Sequence, residues 1–378
     1  MNVPAKRGPW LVSRAYDLGW FVAPGVGAAL LGVLLAIRWP EPAAATGESR
    51  LDLAVWIGGV LLVDVAHVYA SLYRTYLDPQ ARQLHREVLT YAPLAVMVLG
   101  VVAHLIAPLL FWSVLAYVAI FHFIKQHEGF VLLYLRRGDQ AGRESDAQVR
   151  LARLSVWAGT ALPVVYWHAS LPRRFTWFME GDLLVGLPTL VGTVAVWLQV
   201  PILAAFLVQR LALAWKGRGN PMVTALVLLP ALLWNMGIVW FNDDRVFTVT
   251  NVLLHGIPYL ALIWVTGGRD SVQRGLEGSG RRQLPVAVVA VVFYALLAFL
   301  ALGEEALWDR LVWQDRPYLF GEGSLELADL GLAVAVSLLT VPQATHYVLD
   351  RHIWKVGERN PRLASQLGFG TPPPPKML

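Results

Sequence analysis

Ten stretches of about 20 mostly apolar residues, each long enough to cross the hydrocarbon core of a bilayer, follow one another along a chain of 378 residues. They fall at roughly 18–38, 51–73, 91–106, 109–135, 151–171, 188–213, 222–241, 246–266, 286–303 and 326–349. This pattern predicts an all-α, polytopic integral membrane helix bundle of about ten transmembrane helices. The third and fourth stretches are divided only by Ala107-Pro108, and that turn decides the count. The first stretch follows Lys6 and Arg7, like a secretory signal, but its apolar run exceeds a typical signal core and is read as a span.

Composition agrees. Hydrophobic residues make up 56% of the chain and charged residues 15%, against about 25% charged in an ordinary soluble domain. The polar surface is too small to cover the chain in water, which excludes a disordered protein, a nucleic-acid module and most soluble enzymes. The 16 Trp suit interfacial belts, and Tyr69, Tyr73 and Tyr76 read the same way. No Cys is present, so disulfides, thiolate ligands and a Cys nucleophile are excluded. No linker or internal repeat divides the chain, and residues 1–378 read as one membrane domain. Residues 136–150 form a polar loop that can extend the fourth helix, 267–285 a mobile Gly- and Arg-rich loop, and 304–325 an acidic, aromatic outer segment. Residues 360–378 read as an extended tail with the proline run 372–375.

Orientation follows from the basic residues. With both termini on the cytoplasmic side, 23 of the 31 Lys and Arg fall in inner segments, seven fall outside, and Lys125 lies within a helix. The bias extends over every inner loop, as the positive-inside rule requires. It also accounts for the net charge of +5 without nucleic acid. The expected location is an integral, multi-pass one, the cell inner membrane for a bacterial protein, with membrane lipids as neighbours.

Ionisable residues inside a span are costly and mark function. Four stretches carry them: Asp64 and His67 in the second; His122, Lys125, Gln126, His127 and Glu128 in the fourth; Asn251 and His255 in the eighth; Gln343, His346, Asp350 and His352 in the tenth. Residues three or four apart share a helix face. Asp64 with His67, His122 with Gln126, Asn251 with His255 and His346 with Asp350 are such pairs. His122 and His127 stand about 140° apart on a regular helix, so a common target requires distortion. All four helices run in the same direction. The histidines fall near one depth in their inner halves, with His255 near the middle, whereas His104 and His168 fall at outer ends.

Imidazole and carboxylate without thiolate suit iron, zinc or manganese. The expected metal ligands are Asp64, His67, His122, His127, His255, His346 and Asp350. The expected function is a membrane-embedded non-haem iron or di-iron oxidoreductase, of the oxygenase or desaturase type. It would act on a lipid or isoprenoid chain, a lipophilic substrate, with an electron-donor protein as partner. Lys125, Gln126 and Arg74 are the residues expected to hold its head group. Haem or zinc are alternative cofactors. A proton-coupled transporter or lipid flippase using the same Asp and His residues is the alternative function. Motif searches exclude other chemistries. His127-Glu128 opens a zinc-protease helix pattern, but Val131 stands where its second His belongs. Glu304-Glu305 lies in the expected outer segment, and no Gly-x-Ser-x-Gly is present.

Overall fold

In the computed structural model, the structure describes residues 8–39, 48–137, 144–277, 284–323, 325, 327–357 and 360–369. Among these residues the chain is helical with no strand. The long helices are α1 (Arg14–Arg38), α2 (Arg50–Arg74), α3 (Arg86–Ile106), α4 (Pro108–Leu135), α5 (Asp146–Ala169), α6 (Thr189–Trp215), α7 (Pro221–Trp240), α8 (Asp244–Glu277), α9 (Val286–Trp313) and α10 (Asp329–Ile353). Nine of them are long and apolar enough to cross a membrane. Helix α3 ends at Ile106 and α4 begins at Pro108, so the Ala107-Pro108 turn does divide two helices.

The exception is α5, the expected fifth span. It is 24 residues long, but Arg150 and Arg153 and its Gly, Thr, Pro, Trp and His residues dilute its apolar character. It buries Ser155, Val156, Gly159, Thr160, Val164 and Trp167 against protein. A helix enclosed by neighbours does not need a lipid-like surface. By contrast, α3, α6 and α9 expose Leu99, Ile106, Trp197, Val208 and Phe299. Such contiguous apolar exposure marks a surface made for lipid or for another protein.

Three other expectations change. Helix α9 runs through Glu304 and Glu305 to Trp313, where an outer segment was expected. Helix α8 continues past Trp264 through a kink at Thr266 and Gly267 to Glu277, where a loop was expected. Gly267 sits at φ 147°, a conformation that L side chains rarely adopt. Residues Pro361–Gln366 of the expected tail form a short helix. The proline run 372–375 lies outside the described residues, as do residues 138–143 and 278–283 of the expected loops.

The chain divides into two compact units. The first comprises residues 1–59, 120–258 and 367–369; the second comprises 60–119, 259–366 and 370–378. The first unit contains α1, α5, α6 and α7 with parts of α2, α4 and α8. Ala28 of α1 packs with Leu233, Met236 and Leu254, and Leu35 packs with Val246 and Val249. At the α5–α7 crossing, a Cβ on Gly159 would lie 2.4 Å from the Cβ of Ala231. This is the close approach that small residues permit between apolar helices. Gln199 of α6 and Asn235 of α7 exchange two amide hydrogen bonds of 2.8 and 2.9 Å. Trp167, Phe175 and Phe247 form an aromatic cluster, with the two Phe rings stacked at 4.4 Å.

Helix ends in this unit carry local signals. Ser145 and Gln148 form a capping box on α5, and Asn220 caps α7. Just before α5, Glu144 pairs with Arg210 of α6, and both are buried, at 6% and 3% exposure. Arg210 also donates to the carbonyl of Asn220 at 2.9 Å. Removing one member of such a pair strands the other charge at a cost of about 3–5 kcal/mol. Glu144→Ala is therefore expected to lower the thermal unfolding midpoint sharply in detergent. The double change Glu144→Leu with Arg210→Met is expected to recover most of that loss. Equal midpoints for Glu144→Ala and the wild type would show that the pair adds nothing.

The second unit contains α3, α9 and α10 with the remaining parts of α2, α4 and α8. Helices α3 and α10 meet at Gly100, whose added Cβ would come within 2.9 Å of Ser337 Oγ. Tyr73 of α2 stacks on Phe293 of α9 at 4.7 Å and donates to its carbonyl at 3.1 Å. Tyr76 donates to the Leu89 carbonyl at 2.7 Å. These tyrosines therefore anchor helices inside the unit, where belt positions were expected.

Candidate functional site

The structure brings the predicted residues together in two sets, one within each unit. In the second unit, His67 of α2 and His346 of α10 face each other with ring centroids 5.1 Å apart and planes at 83°. Both are buried, at 2% and 1% exposure. Tyr259 of α8, fully buried, completes the group, with its ring 5.5 Å from His67 and 5.0 Å from His346. Its hydroxyl donates to Asp350 Oδ1 at 2.7 Å and lies 3.5 Å from His346 Nδ1. His346 Nδ1 is 3.7 Å from Asp350 Oδ1, and His67 Nδ1 is 3.7 Å from Asp64 Oδ1. The i,i+3 and i,i+4 spacings in the sequence thus do put each acid beside its histidine.

The 3.7 Å separations are too long for hydrogen bonds. Two ligand atoms each about 2.1 Å from one tetrahedral metal stand about 3.4 Å apart. A small adjustment of rotamer would therefore let each His–Asp pair share an ion. Asp64 and Asp350 fit the carboxylate role, and Tyr259 fits a group that fixes the Asp350 carboxylate.

In the first unit, His255 of α8 is fully buried and has three aromatic neighbours from α4. Phe123 stacks on it at 3.6 Å with planes 6° apart. His122 meets it edge-on at 5.3 Å and His127 at 6.3 Å. Helix α4 is a regular α-helix through both positions, so His122 and His127 leave it on different faces. Gln126 donates to the carbonyl of His255 at 2.7 Å, and Asn251 donates to that of Phe247 at 2.8 Å. The other amide oxygens, Gln126 Oε1 and Asn251 Oδ1, are buried and accept no hydrogen bond among the described residues. Buried acceptors left over in this way suit a donor or a cation that the chain itself does not provide.

The remaining predicted residues lie elsewhere. Lys125, expected to hold a head group, is 43% exposed and pairs with Glu128. Glu128 also accepts from Arg153 and from Trp157, the latter at 3.4 Å. That carboxylate is saturated by cations and serves as an ionic tie between α4 and α5. Arg74 ends α2 with its guanidinium over the ring of Trp354 at 5.1 Å, and Trp354 touches Tyr259 at 5.7 Å.

Sequence reasoning missed Tyr259 and Glu304. Tyr259 stands one turn beyond His255, so the same polar stripe contained it; an aromatic residue in an apolar run gave no contrast. Glu304 lies inside α9 and accepts from Tyr69 at 2.5 Å and from Trp308 at 3.1 Å. Its signal was the acidic pair itself, masked by placing the end of the helix at residue 303. Compared with known proteins, the chain matches no family model, no curated protein and no solved structure.

Proposed function

We propose that this chain is a multi-pass membrane protein with cytoplasmic termini that binds a transition metal through its buried imidazoles. The proposed activity is a non-haem iron or di-iron oxidoreductase acting on a lipid or isoprenoid chain. Dioxygen would be the oxidant and an electron-donor protein the reductant. The observation that carries the reading is the pairing of buried histidines, His67 with His346 and His122 with His255. Imidazole is the commonest side-chain metal ligand, and ionisable groups buried within spans mark function.

In the second unit His67, His346 and Asp350 would hold the ion, with Asp64 as ligand or orienting group. In the first, His122 and His255 would do so, with His127 as a nearby imidazole and Gln126 and Asn251 in support. A redox metal supplies the electron transfer that no side chain of a cysteine-free chain performs readily. The protein's own part is to position the ligands, to hold Asp350 through the Tyr259 hydroxyl, and to exclude water with the apolar helices around both sets. The ring separations of 5.1 and 5.3 Å favour small ions over a haem held between the rings of one pair.

The test is metal analysis of the purified full-length protein together with its absorption spectrum. Iron at one or two equivalents, without a Soret band, is the expected result. Protein that carries no transition metal and takes none up on reconstitution would remove this reading, and a Soret band would replace it with haem.

One observation favours a second reading. The second unit carries two tyrosine–carboxylate hydrogen bonds inside its apolar helices, Tyr69–Glu304 and Tyr259–Asp350. Alternating hydroxyl, carboxyl and imidazole groups can relay protons, as a proton-coupled transporter or flippase requires. Proton uptake into vesicles containing the protein, followed with an internal pH dye, separates the two. A metal-free protein that conducts protons, and loses conduction with Glu304→Gln, would favour transport.

A further inference from the structure

Arg74 is only 8% exposed. Its Nη1 donates to the Thr266 carbonyl and to Gln366 Oε1, the latter at 3.0 Å. Both acceptors are neutral. Its Nε has no hydrogen-bond partner among the described residues. A buried guanidinium whose hydrogen-bond acceptors are all neutral keeps an unused donor, which an anion would satisfy.

The same guanidinium lines a small cleft of about 60 Å³ with Gln80, His85, Asn360, Arg362 and Gln366. One acid, Asp78, is also in the wall. It is already engaged, capping the helix Pro79–Leu84 through the amides of Gln80 and Ala81 and lying 3.7 Å from Arg362. The cleft thus combines a buried fork of donors, a second cation, amide side chains and an imidazole, the chemistry that recognises a phosphate. It lies where two long apolar helices stop, α2 at Arg74 and α10 at Ile353. Arg351 lies in the last turn of α10, and Lys355 follows its end. Basic residues next to the ends of spans attract anionic head groups.

We propose that this cleft binds the phosphate of a membrane phospholipid. The proposal deepens the lipid part of the function above by naming the head group. It rests on the reading of α2 and α10 as spans and on no metal.

The test uses the full-length protein in neutral detergent and reads its unfolding midpoint by tryptophan fluorescence. The midpoint is measured against added phosphatidylglycerol, diacylglycerol of the same chains, or inorganic phosphate. Phosphatidylglycerol is expected to raise the midpoint saturably and diacylglycerol to leave it unchanged. Arg74→Gln is expected to weaken the response about tenfold or more, the loss of charge-assisted hydrogen bonds to a buried group. Arg362 is half-exposed, so Arg362→Gln should fold normally and weaken the response up to about fivefold, the range for exposed charges. Arg82→Gln and Arg86→Gln, exposed and outside the cleft, are expected to respond like the wild type. Equal effects of all four changes, or equal responses to diacylglycerol and phosphatidylglycerol, would overturn the site. Saturation by inorganic phosphate with no gain from the lipid would overturn the lipid occupant. Metal-free protein that still shows the lipid response would leave this proposal standing and remove only the metal.

Discussion

His346→Ala is expected to lower the metal content of the second-unit cluster at least tenfold while leaving the chain folded. His346 lies at the centre of that group, 5.1 Å from His67, 5.0 Å from Tyr259 and 3.7 Å from Asp350. Even the loss of a supporting partner costs metal sites about 10–100-fold in affinity, and a lost ligand should cost no less. Tyr259→Phe is the graded companion. It keeps the ring that packs on both imidazoles and removes only the hydroxyl that holds Asp350, so a loss near tenfold is expected. The matching change in the first unit is His255→Ala, which removes the ring that meets both His122 and His127. Metal analysis of the three variants reports which unit holds the ion, because each change leaves the other set intact. Wild-type metal content in both His346→Ala and His255→Ala would sink the assignment of ligands.

Gly159→Leu is expected to prevent the first unit from assembling. The Cβ alone would lie 2.4 Å from the Cβ of Ala231 and 3.0 Å from its Cα. Backbone atoms cannot swing aside, so α5 and α7 must move apart along with everything packed on them. Overpacking a tight core costs about 1–3 kcal/mol for smaller insertions, and a leucine at a helix crossing exceeds that range. Gly159→Ala should already lower the unfolding midpoint, and Ala231→Gly in the same chain should restore part of it, since residues in contact couple. Additive effects of the two changes would mean that the helices do not meet at these residues. The pair thus tests the α5–α7 crossing independently of any function.

Much of this was legible in the sequence for a simple reason. Helix length and face are local properties, and apolar runs report them directly. That is why α3 and α4 divide at Ala107-Pro108, and why Asp64 stands beside His67 and Asp350 beside His346. Contacts between helices are not local. Nothing in the sequence says that His255 meets two residues of α4 five positions apart, or that Tyr259 completes the His67–His346 pair. Apolarity also misleads at helix ends. Helix α9 continues through Glu304 and Glu305 because Tyr69 and Trp308 provide Glu304 with hydrogen-bond partners within the unit. A hydropathy window sees only two charges and stops. Helix α5 shows the converse, a long helix whose Ser155, Gly159 and Thr160 are tolerated because they are buried against protein, while Arg150 and Arg153 stay exposed near its start.

The paired amides of Gln199 and Asn235 bear on how the chain is made. Only the short segment 216–220 separates α6 from α7. Inserted singly, each helix would carry an unmatched amide into hydrocarbon; inserted together, each amide satisfies the other, because both hydrogen bonds close within the pair. In a bilayer, α6 and α7 should therefore leave the insertion machinery as one hairpin. A ribosome-nascent chain halted before Asn235 emerges should hold α6 at the exit, and release should come only with its partner.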